Sequence, residues 1–190
     1  PTHHPEVDTG VHLLMVLDQC AKIQAPLPVR WACLMHDLGK GSTPSSLWPR
    51  HIGHEQRSAK LAQQIADRLK VSTECRALAD VVAREHGHIH QSDGLGAEAT
   101  LRLLERCDAL RRPDRFAQVL QACECDARGR LGLQDRAYAP AHRLAHALQQ
   151  VLSVDTEPVV SRAQAQGLDG PALGQAVRQA RILALEAPSV

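Results

Sequence analysis

Histidine and aspartate are the residues of this sequence best suited to chemistry. His36 and Asp37 are adjacent at the predicted end of a helix, and Gly39 follows two residues later. Neighbouring helical side chains point about 100° apart, so both reach one ion only where the helix ends or distorts, which the glycine permits. Imidazole nitrogen with carboxylate oxygen suits nickel, cobalt, manganese, iron or zinc better than calcium. The pair therefore indicates a site for a divalent transition ion.

A metal ion needs further protein ligands, and the sequence offers candidates on other segments. His12 lies in an apolar helical run near the start, and Asp108 follows a leucine-rich helical run. An unpaired carboxylate on such a face is costly to bury, and a metal ion would offset that cost. Between these two lie His51-Ile52-Gly53-His54 and His86-Gly87-His88-Ile89-His90.

Composition restricts the class of protein. The 190 residues are 44 % hydrophobic and 23 % charged, which is typical of one folded domain with a short appendage. Alanine (27) and leucine (25) dominate and only four residues are aromatic, which favours closely packed helices over a β-sandwich. The formal charge of +1 excludes a body that binds nucleic acid by bulk electrostatics. Arginine nevertheless supplies 18 of the 22 cations, and its planar fork suits local phosphate binding.

The six cysteines form no Cys-x-x-Cys pair and lie mostly in apolar helical patterns. We expect buried free thiols in a reducing cytoplasm rather than disulfides. No apolar run approaches the roughly 18 residues of a membrane span, and no signal peptide is present. The chain starts at Pro1 in a His-rich stretch, so we interpret it as a fragment of a longer cytoplasmic protein.

Prolines and glycines divide the chain into segments of helical length, and no alternating run is long enough to require a strand. Ser72 or Thr73 is expected to cap the fourth helix. The predicted helices span about 11–25, 29–38, 54–69, 73–86, 97–110, 114–127, 141–152, 157–165 and 171–186. The pattern predicts an all-α protein in which at least five helices surround one metal site, with a short C-terminal helical tail.

The order of the candidate residues along the chain resembles that of the HD-domain phosphohydrolases: histidine, histidine-aspartate, two more histidines and aspartate. The similarity is strong in His36-Asp37-Leu38-Gly39-Lys40 and in the long separation from there to Asp108. The resemblance implies an all-helical HD-domain bundle over residues 1–135, followed by a helical tail over residues 136–190.

The flanking residues narrow the resemblance to the C-terminal HD region of bacterial CCA-adding tRNA nucleotidyltransferases, which build and repair the tRNA 3′ end. The segments that carry it are His4-Pro5-Glu6-Val7-Asp8-Thr9-Gly10-Val11-His12, Leu47-Trp48-Pro49-Arg50-His51 and Glu124-Cys125-Asp126-Ala127-Arg128-Gly129-Arg130. The similarity covers residues 4 to about 130 and, more weakly, 167–171. The nucleotide-adding N-terminal region of that family has no counterpart here, so we expect no nucleotide addition by this chain alone.

The resemblance also implies a set of site residues. The metal ligands would be His12, His36, Asp37 and Asp108. The extra histidines that hold a second metal or position a phosphate would be His54 and His86, although His88 or His90 is an alternative to His86. Together with Lys40, the residues Asp37, His54 and His86 are the candidate catalytic groups.

The activities implied are 2′,3′-cyclic phosphodiesterase, 2′-nucleotidase and phosphatase, with a tRNA 3′ end or a 2′,3′-cyclic nucleotide as substrate. The expected cofactor is a divalent metal ion, with Ni²⁺ or Co²⁺ favoured over Mn²⁺ or Mg²⁺. Two alternatives stay open: a nucleotidase acting on free nucleotides, and a non-catalytic tRNA-binding tail. A homo-oligomer is also open.

Three basic residues near the candidate site have two interpretations each. Lys40 either neutralises a phosphate oxygen or stays solvated in its glycine-rich loop. Arg128 and Arg130 either bind substrate phosphates or join Asp126 in a local ion-pair network at a helix end, which is the usual fate of such clusters.

Overall fold

A computed structural model describes residues 9–187, which form nine α-helices and two short 3-10 turns without a β-strand. The all-α prediction is confirmed. The segment His4 to Asp8, which contributed to the sequence resemblance, lies outside the described residues. The helices are α1 (Thr9–Lys22), α2 (Leu27–Met35), α3 (His54–Leu69), α4 (Thr73–His90), α5 (Ala97–Arg106), α6 (Pro113–Arg128), α7 (Ala139–Leu152), α8 (Glu157–Ala165) and α9 (Gly170–Glu186).

Local chemistry explains where these helices begin and end. Proline lies in the first turn of α2, α6, α7, α8 and α9, where its missing N–H costs no hydrogen bond. Ser72 caps α4, as predicted, by accepting a hydrogen bond from the amide of Cys75. Three ends differ from the prediction and matter for the site. Helix α2 ends at Met35 rather than near Leu38. Helix α4 continues to His90, and α5 stops at Arg106.

The core lies where α2 and α4 pack together against α1, α3 and α6. Alanine and cysteine make up half of the buried hydrophobic residues in the described range, which allows the close helix packing that the composition predicted. All six cysteines are buried and free, also as predicted. Helices α7 and α9 pack on α5 and α6, and the division between domain and tail near residue 135 stays a prediction. No helix in the described range is both long and apolar enough to cross a membrane.

Two glycines allow close approaches that position the candidate site. A Cβ on Gly39 would lie 2.7 Å from the amide nitrogen of Ser58, whose hydroxyl accepts a hydrogen bond from the Gly39 amide at 2.9 Å. A Cβ on Gly129 would lie 2.7 Å from the Cα of Val16. These contacts hold the turn after α2 against α3, and the end of α6 against α1.

We expect Gly39→Ala to lower the free energy of unfolding by about 1–3 kcal/mol, because the added methyl must push apart two backbone segments. Urea denaturation measures the effect. Gly41→Ala is the matched control, since a Cβ at Gly41 meets no atom within 4 Å, and its effect should stay within about 0.5 kcal/mol. Equal effects of the two substitutions would contradict this account.

Candidate metal centre

Six potential metal ligands from five parts of the chain meet inside the bundle. In the described residues they form two groups, and the ligand atoms of each group lie within 4.8 Å of one another. The first group is His12 on α1, His36 after α2 and Asp126 on α6. The second is Asp37 after α2, His54 on α3 and His86 on α4.

The end of α2 allows His36 and Asp37 to face the same place. His36 still has helical angles, but Asp37 leaves the helix with φ −111° and ψ 10°. As a result, Nε2 of His36 lies 3.3 Å from Oδ2 of Asp37 although the two residues are adjacent. This is the helix-end distortion that the sequence predicted.

The first group is centred on Oδ1 of Asp126. Nε2 of His12 lies 2.9 Å from it and Nε2 of His36 lies 3.6 Å from it. Each imidazole is held from behind, because its Nδ1 donates to a backbone carbonyl, that of Gly129 for His12 and that of Cys33 for His36. A backbone acceptor behind the ring fixes the orientation in which metal-binding histidines present Nε2.

The second group is built in the same way around Asp37. Oδ1 of Asp37 lies 3.3 Å from Nε2 of His54 and 3.6 Å from Nε2 of His86. Nδ1 of His54 donates to the carbonyl of His51, and Nδ1 of His86 donates to that of Val82. Because Oδ2 of Asp37 faces His36, this one carboxylate contacts both groups.

The donor set fits a divalent metal ion. Nε2 of His36, Nε2 of His54 and Oδ1 of Asp37 are buried and have no hydrogen-bond partner. An unsatisfied buried polar group costs about 1–3 kcal/mol, and all three atoms are of the type that coordinates borderline transition ions. A cation in the first group would satisfy His36, and one in the second group would satisfy His54 and Asp37.

The pKa shifts indicate that the buried carboxylates favour a positive charge at the site. Burial opposes a charge on His36, but the carboxylates of Asp37 and Asp126 outweigh it and raise the pKa of His36 well above its ordinary value. Burial also opposes the charged form of Asp37 and of Asp126. The positive charge of His36 is the largest effect in the other direction, and the pKa of each carboxyl group lies well below its ordinary range. Burial and the charge of His36 lower the pKa of His86 to about 4. The two carboxylates therefore demand a positive charge between them, and binding a metal ion there would displace the proton of His36.

Asp108 is a correction to the sequence-based ligand set, because the structure does not bring it to either group. Helix α5 ends before it, and Asp108 itself adopts a left-handed conformation with φ 54°. Its carboxylate lies at a partly exposed turn, where Arg111 and Arg115 donate to it at 2.6 and 2.9 Å. Asp126 instead completes the first group.

Asp126 has a signal in the sequence beyond its place in the predicted ion-pair cluster with Arg128 and Arg130. The buried residues Phe116, Val119 and Cys123 follow one face of α6, and Asp126 continues that spacing three residues later. A carboxylate in register with the buried face of a helix requires a partner, because an unpaired carboxylate is costly to bury. The same reasoning made Asp108 a candidate ligand.

The three histidines at the end of α4 have separate places. His86 belongs to the second group, whereas His88 is exposed and pairs with Glu85. His90 lies one turn after His86 and bonds Oδ2 of Asp126 through Nε2 at 2.6 Å. It therefore supports a ligand of the first group from outside that group.

Lys40 and the two arginines line different cavities. Nζ of Lys40 is 2.6 Å from Oδ2 of Asp37, so the lysine is not free in its loop. A cavity of about 190 Å³ opens onto His12, His36, Asp37 and Lys40. Arg128 and Arg130 line another cavity, beside His90.

Comparison with known proteins identifies the family of the chain. Residues 9–119 match the family model described as "HD domain", so the chain belongs to the HD-domain family, a superfamily of metal-dependent hydrolases. No solved structure matches the chain.

Curated relatives are named Multifunctional CCA protein. The chain is 60 % identical over 183 residues to that of Verminephrobacter eiseniae, covering 96 % of this chain and 44 % of the relative. It is 63 % identical over 179 residues to that of Paracidovorax citrulli, covering 94 % and 43 %. It is 56 % identical over 184 residues to that of Ralstonia nicotianae, covering 96 % and 42 %. The chain thus spans less than half the length of these relatives.

We expect Asp126→Asn to weaken Ni²⁺ or Co²⁺ binding by at least about tenfold, because the first group would lose its anionic oxygen. Asp108→Asn is the control and should bind metal like the unmodified chain. Equilibrium dialysis followed by elemental analysis measures both, with circular dichroism to show that the variants fold. A loss of metal in Asp108→Asn with full retention in Asp126→Asn would restore the original ligand assignment.

Proposed function

We propose that this chain is a metal-dependent phosphohydrolase that cleaves 2′,3′-cyclic phosphates at RNA ends, with 2′-nucleotidase and phosphatase activity at the same site. The observation that supports this most is the pair of ligand groups that share Asp37, with a lysine beside it and a cavity above. The relatives named Multifunctional CCA protein support a tRNA 3′ end as the substrate and a longer CCA-adding enzyme as the context.

The chain's own residues have distinct parts in this proposal. His12, His36, Asp37 and Asp126 would hold one divalent ion, and His54 and His86 remain for a second ion or for a phosphate oxygen. When bound, a divalent ion supplies Lewis acidity that activates water near neutral pH and polarises a phosphoryl oxygen.

Lys40 would place a positive charge where negative charge develops on the phosphate. Its Nζ is already held by Asp37 at the mouth of the cavity, so the charge is positioned before substrate binds. The side chain of His54 is 16 % exposed and that of His86 only 6 %, which makes His54 the better placed of the two to give a proton to a leaving oxygen.

We expect hydrolysis of 2′,3′-cyclic nucleotides that disappears with a chelator. Because the ligands mix imidazole and carboxylate, Ni²⁺ or Co²⁺ should restore the rate better than Ca²⁺, which prefers oxygen ligands. Rates before chelation, after chelation and after each metal is added back test this. Full activity in excess chelator, or no metal bound under any loading condition, would exclude the proposal.

We expect Asp37→Ala to lower kcat/KM for a 2′,3′-cyclic nucleotide on the order of a hundredfold or more, since Asp37 contacts both ligand groups. Asp18→Ala is the control, because Asp18 is exposed on α1. Affinity for tRNA, measured by gel shift, should survive both substitutions because surface arginines would supply the phosphate contacts. An Asp37→Ala variant that kept its hydrolysis rate and lost tRNA binding would favour a non-catalytic tRNA-binding tail.

A further inference from the structure

The single tyrosine of the chain lies outside both ligand groups, and the reaction proposed above does not use it. Tyr138 directly precedes α7, and its side chain is buried. A buried phenol hydroxyl needs a hydrogen-bond partner, whereas phenylalanine would fill the same space without that need. The hydroxyl of Tyr138 has its partner in Nδ1 of His90, at 2.8 Å.

His90 connects Tyr138 to the first ligand group. Its Nε2 lies 2.6 Å from Oδ2 of Asp126, and Oδ1 of the same carboxylate lies 2.9 Å from Nε2 of His12. An ionised carboxylate only accepts hydrogen bonds, so Nε2 of His90 carries a proton. In the neutral ring Nδ1 is then an acceptor, and the Tyr138 hydroxyl donates to it. The hydrogen bonds therefore run in one direction, from the tyrosine through the imidazole to the carboxylate.

Contacts on two sides hold the segment that carries Tyr138. On α7, Arg143 donates to Oγ of Ser92, just after the end of α4, at 2.7 Å. At the end of α6, Nε of Arg128 donates to the carbonyl of Arg136, two residues before Tyr138, at 3.0 Å. The segment is thus fixed against both of the helices that its hydrogen bonds connect, α4 with His90 and α6 with the carboxylate.

Tyr138 lies beyond the part of the chain that matches the HD-domain model, which ends at residue 119. It also lies in the stretch that the sequence assigned to the C-terminal tail, 136–190. The hydrogen bond between Tyr138 and His90 therefore crosses the predicted boundary between domain and tail. A residue of the tail contacts the support of a candidate metal ligand.

We propose that Tyr138 is a positioning residue of the metal centre. Through His90 it fixes the orientation of the Asp126 carboxylate, whose other oxygen then faces the histidines of the first ligand group. The inference rests on the proposed function only in taking that group as a metal site. Loss of a hydrogen-bond partner behind a metal ligand typically costs about 10- to 100-fold in affinity. Tyr138 acts one hydrogen bond further out than His90, so we expect a smaller loss from its removal.

Metal binding to the full chain tests this role without any need for hydrolysis. We expect Tyr138→Phe to weaken Ni²⁺ or Co²⁺ binding roughly fivefold, and His90→Gln roughly tenfold or more, in equilibrium dialysis followed by elemental analysis. The double variant should bind no more weakly than His90→Gln alone, because Tyr138 acts only through that ring. Circular dichroism shows that the variants fold, and Tyr138→Phe keeps the buried ring.

Val151→Ala is the matched control for a purely structural effect. Val151 is buried on α7, more than three turns beyond Tyr138, so its truncation loosens the packing of the same helix without removing a hydrogen bond. In urea denaturation it should lower the free energy of unfolding at least as much as Tyr138→Phe does. Its affinity for the metal ion should nevertheless equal that of the unmodified chain.

Nitrogen NMR of the metal-free chain gives a second readout. The ring of His90, assigned by its absence in His90→Gln, should show the tautomer that carries its proton on Nε2. In Tyr138→Phe the ¹⁵N resonance of Nδ1 should shift, because that atom loses its donor, and in Val151→Ala it should not. An unchanged resonance in Tyr138→Phe would contradict the hydrogen bond on which the inference depends.

Three binding results would overturn the inference: an unchanged affinity in Tyr138→Phe, an equal loss in Val151→Ala, or a double variant that binds more weakly than His90→Gln. Failure of the proposed function looks different. If the affinities follow the expected order but no 2′,3′-cyclic nucleotide is hydrolysed, the phosphohydrolase is excluded and the positioning role stands. If the unmodified chain binds neither metal ion, both are excluded.

Discussion

The carboxylates of Asp37 and Asp126 are buried in the middle of a helical domain, where an ionised group is stable only when donors or cations surround it. Much of the structure serves that requirement. His12, His36 and His90 surround Asp126, while Lys40 and His54 are among the groups around Asp37. The two carboxylates also raise the pKa of His36 well above its ordinary value. A divalent cation would balance the negative charge of the two carboxylates and would also coordinate the buried atoms that have no hydrogen-bond partner.

Backbone carbonyl groups fix the orientation of the four histidine rings. Nδ1 of each histidine in the two ligand groups donates to a carbonyl, so every ring presents Nε2 to the centre. Gly39 and Gly129 bring the carrying segments close enough for this to happen, and Gly129 also supplies the carbonyl that holds His12. The alanine-rich and cysteine-containing core has the same consequence, because small side chains let the helices approach closely.

Two cavities with different linings lie near these carboxylates. One opens onto the metal ligands and Lys40, where chemistry on a phosphate is supported. The other is lined by His90, Arg128 and Arg130, and Arg130 lies 3.9 Å from Asp126.

Local signals in the sequence determined the all-α fold, most helix boundaries, and the His36-Asp37 pair at a helix end, because each depends on residues within a few positions of one another. Which distant residues join that pair depended on where helices stop and how they pack. Asp108 fits the apolar spacing of Leu101 and Leu104, but α5 ends at Arg106 and the chain turns this carboxylate toward Arg111. Asp126 is 114 residues from His12 in sequence, and only the packing of α6 against α1 places them 2.9 Å apart. Spacing along a chain cannot reveal such contacts, since residues can keep helical spacing in the sequence beyond the residue at which the helix ends.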